Sequence, residues 1–152
     1  MSEEIKVVTE NRQARHNYFV EERLEAGLIL TGTEIKSIRA GRVNLKDSYA
    51  EIAGGELWVV QMHISPYDKG NRFNHNPLRR RKLLLHKAQI RKLVAKVQQQ
   101  GMTLVPLRLY IVRGLAKVEI GLCRGKKTYD KRAVIANRDA EREIARAFRA
   151  RR

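Results

Sequence analysis

Several residue types and patterns are scarce in this sequence, and each scarcity excludes a class of protein. Only 1 of the 152 residues is a cysteine, so no internal disulfide forms. Cys123 lies among apolar and small residues and is predicted to be a buried free thiol. No apolar run approaches the ~20 residues that a membrane-spanning helix needs. The opening residues, MSEEIKVV, lack a basic stretch followed by an apolar one, so we expect no secretion signal and a cytoplasmic protein.

Acidic residues are missing altogether between Lys69 and Val118. Residues 1–68 hold 8 Lys/Arg and 11 Asp/Glu, a balance of −3, whereas residues 69–152 hold 24 and 5, a balance of +19. A field of one sign repels itself and destabilises a compact fold, so a polyanionic partner is expected to neutralise it. No strongly amphipathic segment presents a broad apolar face, which favours nucleic acid over a membrane surface as that partner.

A coherent set of catalytic or metal-binding groups is also lacking. No HExxH, cysteine–histidine, GxSxG or phosphate-loop pattern occurs. The histidines are scattered along the chain, at His16, His63, His75 and His86. We therefore expect neither enzymatic activity nor a cofactor. One alternative stays open, a magnesium-dependent nuclease built on the acidic cluster Glu21, Glu22 and Glu25.

Short strands separated by glycines are the main feature that the sequence does contain. Hairpins are predicted at Gly54-Gly55 and at Arg113-Gly114, and further turns at Gly27 and Gly32. Pro106 limits its strand to an edge or a bulge. The predicted strands are Tyr18–Val20, Leu28–Leu30, Tyr49–Ile52, Leu57–Met62, a buried Leu83–Leu85, Thr103–Val112 and Leu115–Cys123.

Two helices are predicted beside these strands. A short helix over Glu34–Ala40 has Thr33 as its N-cap and Gly41 at its end, and Lys87–Gln100 has apolar residues on one face and a glycine C-cap. Many short strands with few helices favour a mainly β fold with flanking helices, a closed Greek-key barrel of the OB type. We expect residues 1–128 to form this body, which would bind the nucleic acid, and residues 129–152 to form a basic tail.

The tail has its own pattern of charge. Acidic residues precede arginines, which is the order that the helix dipole favours, and Ile144 and Phe148 form an i,i+4 apolar pair. We predict that the tail is disordered when free and becomes helical on a charged partner. A tail that merely increases solubility is the alternative.

Basic clusters in the second half of the body predict a continuous positive surface. Arg79–Lys82 precedes the strand predicted at Leu83–Leu85, and Arg124–Lys127 follows the last hairpin. The helix Lys87–Gln100 adds basic side chains on its other face. Lysines neutralise phosphates, whereas arginine, imidazole and aromatic rings also stack on unpaired bases, which suggests such a role for Arg15, His16 and Tyr18. Each of these residues taken alone is more simply an ordinary solvated side chain.

An ordered series of motifs runs through the chain. They are NRQARHNYFVEE at 11–22, EAGL at 25–28, GTEIKSIRAG at 32–41, DSY at 47–49, HISP at 63–66, RKLLL at 81–85, GKK at 125–127 and DKR at 130–132. Over roughly residues 11–138 this series closely resembles the SmpB family of bacterial SsrA-binding proteins. Short basic motifs are weak signals alone, but their common order is very specific.

The resemblance implies an OB-type barrel with a tail that is unstructured away from the ribosome. It implies that the body binds the tRNA-like domain of transfer-messenger RNA, chiefly its D-loop and elbow, as a monomer in a 1:1 complex. No membrane partner is implied. That complex enters stalled ribosomes for trans-translation, and the tail senses the empty messenger channel. The nascent chain is then tagged for degradation.

The resemblance also assigns individual residues by position. For RNA binding it implies Arg12, Arg15, His16, Tyr18, Glu25, Lys36, Arg39, Lys82, Leu84, His86, Arg124, Gly125, Lys126 and Lys127. For the decoding centre and messenger channel it implies Tyr129, Asp130, Lys131, Arg132, Ile135 and Arg138. Two positions depart from the family, because His86 stands where asparagine is common and Ala140 where tryptophan is often found.

Two further points stay open at the level of sequence. A basic ribosomal or ribosome-assembly protein with an arginine-rich extension has the same composition. Glu25 also needs a physical account, because a carboxylate facing phosphates is unfavourable. It either accepts hydrogen bonds from base amino groups or orients a neighbouring arginine.

Overall fold

The computed structural model describes residues 4–68 and 74–125, and over these the chain is mostly β with a few helices. The elements are β1 (Ile5–Glu10), α1 (Arg12–Asn17), β2 (Tyr18–Leu28), α2 (Gly32–Arg39), β3 (Val43–Asn44), β4 (Tyr49–Ala53), β5 (Glu56–Val60), β6 (His63–Ile64), β7 (Arg81–Leu84), α3 (Lys87–Gln100), β8 (Thr103–Val112) and β9 (Leu115–Gly125). None of the helices in this described part is long and apolar enough to cross a membrane.

Seven strands form one antiparallel sheet in the order β1-β8-β4-β5-β7-β2-β9. β9 also pairs with β8, so the hydrogen-bonded order returns to β8. β1 pairs with the second half of β8, whereas β4 pairs with its first half. β3 and β6 form a separate two-stranded ribbon. Every pairing is antiparallel. Side chains alternate between the two faces along each strand, and those of register partners lie on the same face.

The core consists of the apolar side chains on the inward face of these strands. The fully buried ones include Leu57, Val59, Met62, Ile64, Leu83, Leu109, Val118 and Ile120. α3 adds Ile90 and Leu93 from the apolar side predicted by its periodicity, and burial of such a side chain stabilises the fold by roughly 1.5–3 kcal/mol. A smaller cluster beneath α1 contains Cys123, which is a free, buried thiol as predicted.

The long helix and both hairpins are confirmed. α3 spans Lys87–Gln100 and ends at Gly101, whose φ of 62° is the left-handed conformation that a glycine C-cap provides. β4 pairs with β5 around Gly54-Gly55, and β8 pairs with β9 around Arg113-Gly114. The register between β8 and β9 shifts between Pro106 and Arg108, which is the bulge that the proline predicts.

The turn predicted at Gly27 is wrong. β2 runs without interruption from Tyr18 to Leu28, so the predicted strands Tyr18–Val20 and Leu28–Leu30 do not exist as separate elements. Gly27 pairs with Leu84 of β7 and Lys117 of β9. A Cβ atom at Gly27 would lie 3.2 Å from the Cβ of Leu84. The glycine therefore permits a close approach between strands rather than a turn.

The start of α2 also differs from the prediction. Gly32 is its first residue, not a turn, and Thr31 rather than Thr33 is the N-cap. The Thr31 hydroxyl accepts from the Glu34 backbone N–H at 3.4 Å, and the Glu34 carboxylate accepts from the Thr31 backbone N–H at 2.9 Å. This capping box satisfies two backbone donors at once. Gly41, with φ of 75°, follows the helix as predicted.

Two residues of β7 lie on the opposite side from the one predicted. Arg81 was expected at the surface and Leu84 in the core. Because side chains alternate along a strand, Arg81 and Leu83 point inward, whereas Lys82 and Leu84 point outward. Leu84 is 50% exposed, so Leu83–Leu85 is not a uniformly buried strand, and Arg81 is fully buried rather than part of a positive surface.

Arg81 is tolerated in the interior because Glu34 lies beside it. Its Nε donates to Glu34 at 2.5 Å, and its guanidinium also donates to the Met62 carbonyl. Arg79 donates to the other Glu34 oxygen at 2.6 Å. Burial alone raises the pKa of Glu34, but hydrogen bonds from Arg79, the Thr31 backbone and Arg81 outweigh it and lower that pKa to about 2.

Candidate nucleic-acid interface

β2 carries predicted RNA-binding residues at both of its ends. Tyr18 begins the strand next to α1, and Glu25 lies seven residues further on. At ~3.3 Å per residue, the two are separated by roughly 23 Å. The predicted site is therefore two surfaces. We call them the groove, formed by Glu25, Leu84, His86 and Lys117, and the α1 surface, formed by Arg15, His16, Tyr18, Arg124 and Gly125.

The groove is an open depression of about 440 Å³ between β7, β2, β9 and the start of α3. Leu84, Gly27 and Lys117 follow one another across three strands, because Gly27 is the register partner of both other residues. Because Gly27 has no side chain, the depression is deepest there, with the exposed Leu84 on one side and the Lys117 ammonium group on the other. Gln89 also contributes to the lining.

Glu25 gives the groove its carboxylate, and its environment is specific. Its register partner on β9 is Glu119, which accepts from Arg23 at 3.2 Å and from Arg108 at 3.0 Å. Glu25 instead lies close enough to the Tyr110 side chain of β8 to interact with it electrostatically. Burial and then the neighbouring Glu25 carboxylate raise the pKa of Tyr110 to about 12, so the phenol keeps its proton at neutral pH.

His86 is placed at the mouth of the groove by the start of α3. It is the N-cap residue, and its backbone N–H donates to the Gln89 side chain at 3.1 Å. The residue is exposed. Glu25, which lies 59 positions before Leu84, thus lines one depression together with Leu84 and His86.

Lys117 is the groove residue that the sequence did not reveal. It lies on β9 opposite Gly27, and on its other side its register partner in β8 is Tyr110. A lysine two residues before a glutamate in an apolar strand marks an outward face. Only the register with β2 places that face beside Glu25.

The α1 surface is fixed by a buried asparagine. Asn11 caps α1 by accepting from the Ala14 N–H at 3.0 Å, and its amide donates to the Pro106 carbonyl at 2.9 Å. These bonds hold the helix against β8. They leave the remaining side chains exposed on the outer side, at Arg12, Arg15 and His16.

Strand pairing brings the end of β9 to the same place. Tyr18 pairs with Gly125 and Phe19 pairs with Arg124, so the last described residues lie beside the end of α1. The Arg124 guanidinium donates to Glu21 at 2.5 Å, and it remains partly exposed. Arg15 forms an ion pair with Glu10 at 3.6 Å. The surface thus combines arginine and imidazole side chains with a tyrosine ring.

The three glutamates of β2 do not converge on a common point. Glu21 pairs with Arg124, Glu22 pairs with Lys96 at 2.6 Å, and Glu25 contacts Tyr110. Within residues 4–68 and 74–125, no group of three His, Cys, Asp or Glu side chains is arranged to hold a metal ion. Each of the three carboxylates therefore interacts with a different basic or phenolic side chain.

Comparison with known proteins identifies the family. A family model described as SmpB protein matches residues 8–150. The chain belongs to the SmpB family. It is similar to an SsrA-binding protein of Desulfitobacterium hafniense, with 70% identity over 148 residues, 97% of this chain and 95% of that protein. With an SsrA-binding protein of Geobacillus thermodenitrificans the identity is 61% over 146 residues, 96% of this chain and 94% of the other.

A solved structure of an SmpB-family protein is also similar. It is described in the words "tmRNA-SmpB: a journey to the center of the bacterial ribosome", and it shares 53% sequence identity with this chain. The match has a TM-score of 0.66 and covers 78% of this chain and 83% of the other. These findings confirm the family predicted from the motifs.

Three other residues that the SmpB resemblance assigns to RNA do not line the groove. Lys36 and Arg39 lie exposed on α2, where Lys36 is 5.4 Å from the centre of the Tyr67 ring. Lys82 lies on the same face of β7 as Leu84 and forms an ion pair with Glu56 at 3.5 Å. The part of the prediction that concerns Lys126, Lys127, Tyr129, Asp130, Lys131, Arg132, Ile135 and Arg138, together with the tail pair Ile144 and Phe148, lies outside the described residues.

Proposed function

We propose that this SmpB-family chain is a non-enzymatic adaptor that binds the tRNA-like domain of transfer-messenger RNA and delivers it to stalled ribosomes. There it serves trans-translation, in which the nascent chain is tagged for degradation. Its place of action is the cytoplasm, where the ribosomes are. Family membership supports this proposal, as does the likeness to a protein described together with tmRNA and the ribosome.

The observation that carries the proposal is the groove. Residues separated by more than ninety positions, from Glu25 to Lys117, line one depression that combines an exposed leucine, an imidazole, a carboxylate and an ammonium group. This set suits an unpaired nucleotide, because the leucine covers a base face, the polar groups meet its edge and the lysine meets a phosphate. Single-stranded loops of a folded RNA present such nucleotides, and the D-loop and elbow are the loops that we assign to the groove.

The finer architecture follows the same proposal. We assign residues 1–128 to a closed Greek-key barrel of the OB type, and the pairing of β8 with both β4 and β9 supports this assignment. We assign residues 129–152 to a basic tail that orders in the vacant messenger channel of the ribosome. The body acts as a monomer in a 1:1 complex with the RNA.

A competition assay tests RNA selectivity. Labelled tRNA-like domain is titrated with the protein at near-physiological salt in the presence of excess bulk tRNA, and binding is expected to survive the competitor. Lys117→Met is expected to weaken binding several-fold and to reduce the salt slope by up to about 0.9. Lys6→Met is the matched control, because Lys6 pairs with Ile111 on the other face of the sheet from Tyr110. Equal competition by bulk tRNA would instead indicate a general basic RNA binder of the ribosomal type.

A truncation separates the tail from the body. Deleting the residues after Lys127 is expected to leave binding of the tRNA-like domain nearly intact and to abolish tagging on stalled ribosomes. A loss of RNA affinity as large as that of Lys117→Met would contradict this division of labour.

A further inference from the structure

Resting on the proposed function, we infer that Glu21 is a positioning residue that gives Arg124 a preference for folded over unstructured RNA. Its carboxylate neutralises the arginine at long range and fixes the orientation of the guanidinium. An unstructured strand then gains little from Arg124, whereas a folded RNA that meets the arginine directly gains a full contact. Glu21 itself touches no nucleotide.

The ion pairs of the fold join the acidic first half of the chain to its basic second half. The pairs across this division are Glu21–Arg124, Glu22–Lys96, Glu51–Arg80 and Glu56–Lys82, together with the buried contacts of Glu34 with Arg79 and Arg81. These carboxylates offset part of the balance of +19 that residues 69–152 carry. Of these pairs, the one between Glu21 and Arg124 lies on the α1 surface.

A bulge in β2 brings Glu21 to its partner. The register between β2 and β9 shifts between Val20 and Glu22, which leaves Glu21 without a register partner in the ladder. A bulge changes the direction of the side chain that it carries. The Glu21 carboxylate accepts from Arg124 Nε at 2.5 Å, although the two residues are 103 positions apart. The backbone of the strand pair therefore places the two charges together.

Arg124 is held by two elements and remains accessible. Its Nε donates to Glu21 of β2, and its Nη2 donates to the Gln100 side chain at the end of α3, at 3.4 Å. A guanidinium has five N–H donors, so three remain. The Arg124 side chain is 43% exposed and that of Glu21 is 44% exposed. A ligand can thus reach the guanidinium while its two partners fix its orientation.

The ion pair changes how Arg124 attracts RNA. A lone cation attracts every nearby phosphate, and this sequence-independent attraction supplies non-specific binding. Beside Glu21, the two charges cancel at distances well beyond their separation, so a phosphate is attracted only when it lies against the remaining N–H groups. There the hydrogen bonds are short and directional, because arginine binds phosphate in a fixed fork geometry. A folded RNA holds a phosphate in such a place, whereas an unstructured strand has none fixed there.

Titrations with two RNAs test the inference. The tRNA-like domain supplies a folded surface, and poly(U) of the same length supplies phosphates without a fixed fold. Glu21→Gln removes the charge and keeps an oxygen that accepts from Arg124. For poly(U), we expect the salt slope to steepen by about 0.7, the value for one more phosphate on a single strand, which corresponds to an affinity gain of about four-fold at ~0.15 M salt.

The tRNA-like domain is expected to respond differently. Its complex with the wild type already contains the contact to Arg124, so Glu21→Gln should leave the salt slope unchanged and alter the affinity by less than about two-fold. The ratio of the two affinities, which measures the preference for folded RNA, should therefore fall about two- to four-fold.

Two comparisons show whether the effect passes through Arg124. In the Arg124→Gln background, Glu21→Gln is expected to change the poly(U) slope no more than a charge control does. That control is Glu4→Gln, which removes one negative charge at an exposed residue directly before β1. Within the part of the chain that the structure describes, Glu4 forms no ion pair, so this variant releases no cation. It is expected to bind both RNAs like the wild type.

The outcomes separate the inference from the function. An unchanged poly(U) slope for Glu21→Gln, or the same increase in slope when residue 124 is glutamine, would overturn the inference and leave the proposed function standing. Failure of the wild type to prefer the tRNA-like domain to both poly(U) and bulk tRNA would overturn both. Because the pair is partly exposed, its loss costs little stability, and the variants are expected to fold. A pair with only a structural role would change the urea midpoint and not the salt slope, which would also overturn the inference.

Discussion

Replacing Glu34 by glutamine is expected to destabilise the body severely, because this fully buried carboxylate compensates a fully buried arginine. In the wild type, Glu34 accepts from Arg81 at 2.5 Å, from Arg79 at 2.6 Å and from the Thr31 backbone at 2.9 Å. The glutamine amide would turn one acceptor into a donor that faces an arginine N–H. Arg81 would then keep its charge in the interior without a counter-charge.

Two routes give the same magnitude. Breaking a buried ion pair by removing one partner costs about 3–5 kcal/mol. A pKa of about 2 for Glu34, against an ordinary value of 4.5, corresponds to roughly 3 kcal/mol of stabilisation at neutral pH. We therefore expect Glu34→Gln to lower the free energy of unfolding by about 3 kcal/mol, which moves the urea midpoint by about 1–3 M.

The pH dependence gives a sharper test than the magnitude. Because the pKa of Glu34 is lowered in the folded state, its contribution is fully present above about pH 4.5 and is lost as the pH falls toward 2. The difference in unfolding free energy between the wild type and Glu34→Gln should therefore be constant from pH 5 to 8 and shrink below pH 4.5. Subtracting the variant removes the contributions of the other carboxylates.

Urea denaturation followed by the fluorescence of Trp58, the single tryptophan, is a suitable assay. Glu51→Gln, which breaks only the exposed pair with Arg80, is the control and should cost no more than about 1 kcal/mol. A difference below 1 kcal/mol for Glu34→Gln at pH 7, or one that does not change between pH 4.5 and 2, would refute the reasoning.

Two further predictions concern the groove and the buried thiol. Gly27→Ala should lower RNA affinity several-fold while changing the unfolding free energy by less than about 1 kcal/mol, because the new Cβ contacts only the half-exposed Leu84. Thermal melting and RNA titration check this prediction. A large loss of stability with unchanged binding would contradict it. Cys123 should resist a thiol-specific reagent at pH 8 in the native protein and react fully in denaturant, because burial raises the pKa of its thiol to about 11. Rapid labelling of the folded protein would contradict this prediction, since it would show that the thiol is accessible.

Local signals in the sequence predicted the elements whose causes are local. The apolar period and glycine cap of α3 lie within fifteen residues, and the glycines of both hairpins require only their own turns. The bulge at Pro106 also follows from one residue, since proline cannot donate to a ladder. Each of these predictions is confirmed.

The errors arose where the cause lies far away in the chain. Gly27 is part of a strand because Leu84, 57 positions later, packs against it, and a glycine alone looks the same in a turn. Arg81 looked like one more basic surface residue, but Glu34 is 47 positions earlier and makes its burial possible. Sequence spacing carries no information about such pairs.

The candidate site divides in the same way. The family resemblance pointed to Glu25, Leu84 and His86, which line one groove, and their binding of RNA stays a prediction. Lys117 and Tyr110 depend on the register of β8, β9 and β2, which no single motif encodes. The register is therefore what turned separate motif residues into a candidate interface.

The long pairing of β2 with β9 has a mechanical consequence. It runs from the partners Tyr18 and Gly125 to the partners Gly27 and Lys117, with one register shift between Val20 and Glu22, so both ends belong to one two-stranded unit. The groove and Gly125 thus lie at opposite ends of the same strand pair, so a change in the orientation of one end also moves the other. If RNA binds in the groove as we propose, its position there also sets the position and direction of Gly125, the residue at which β9 ends.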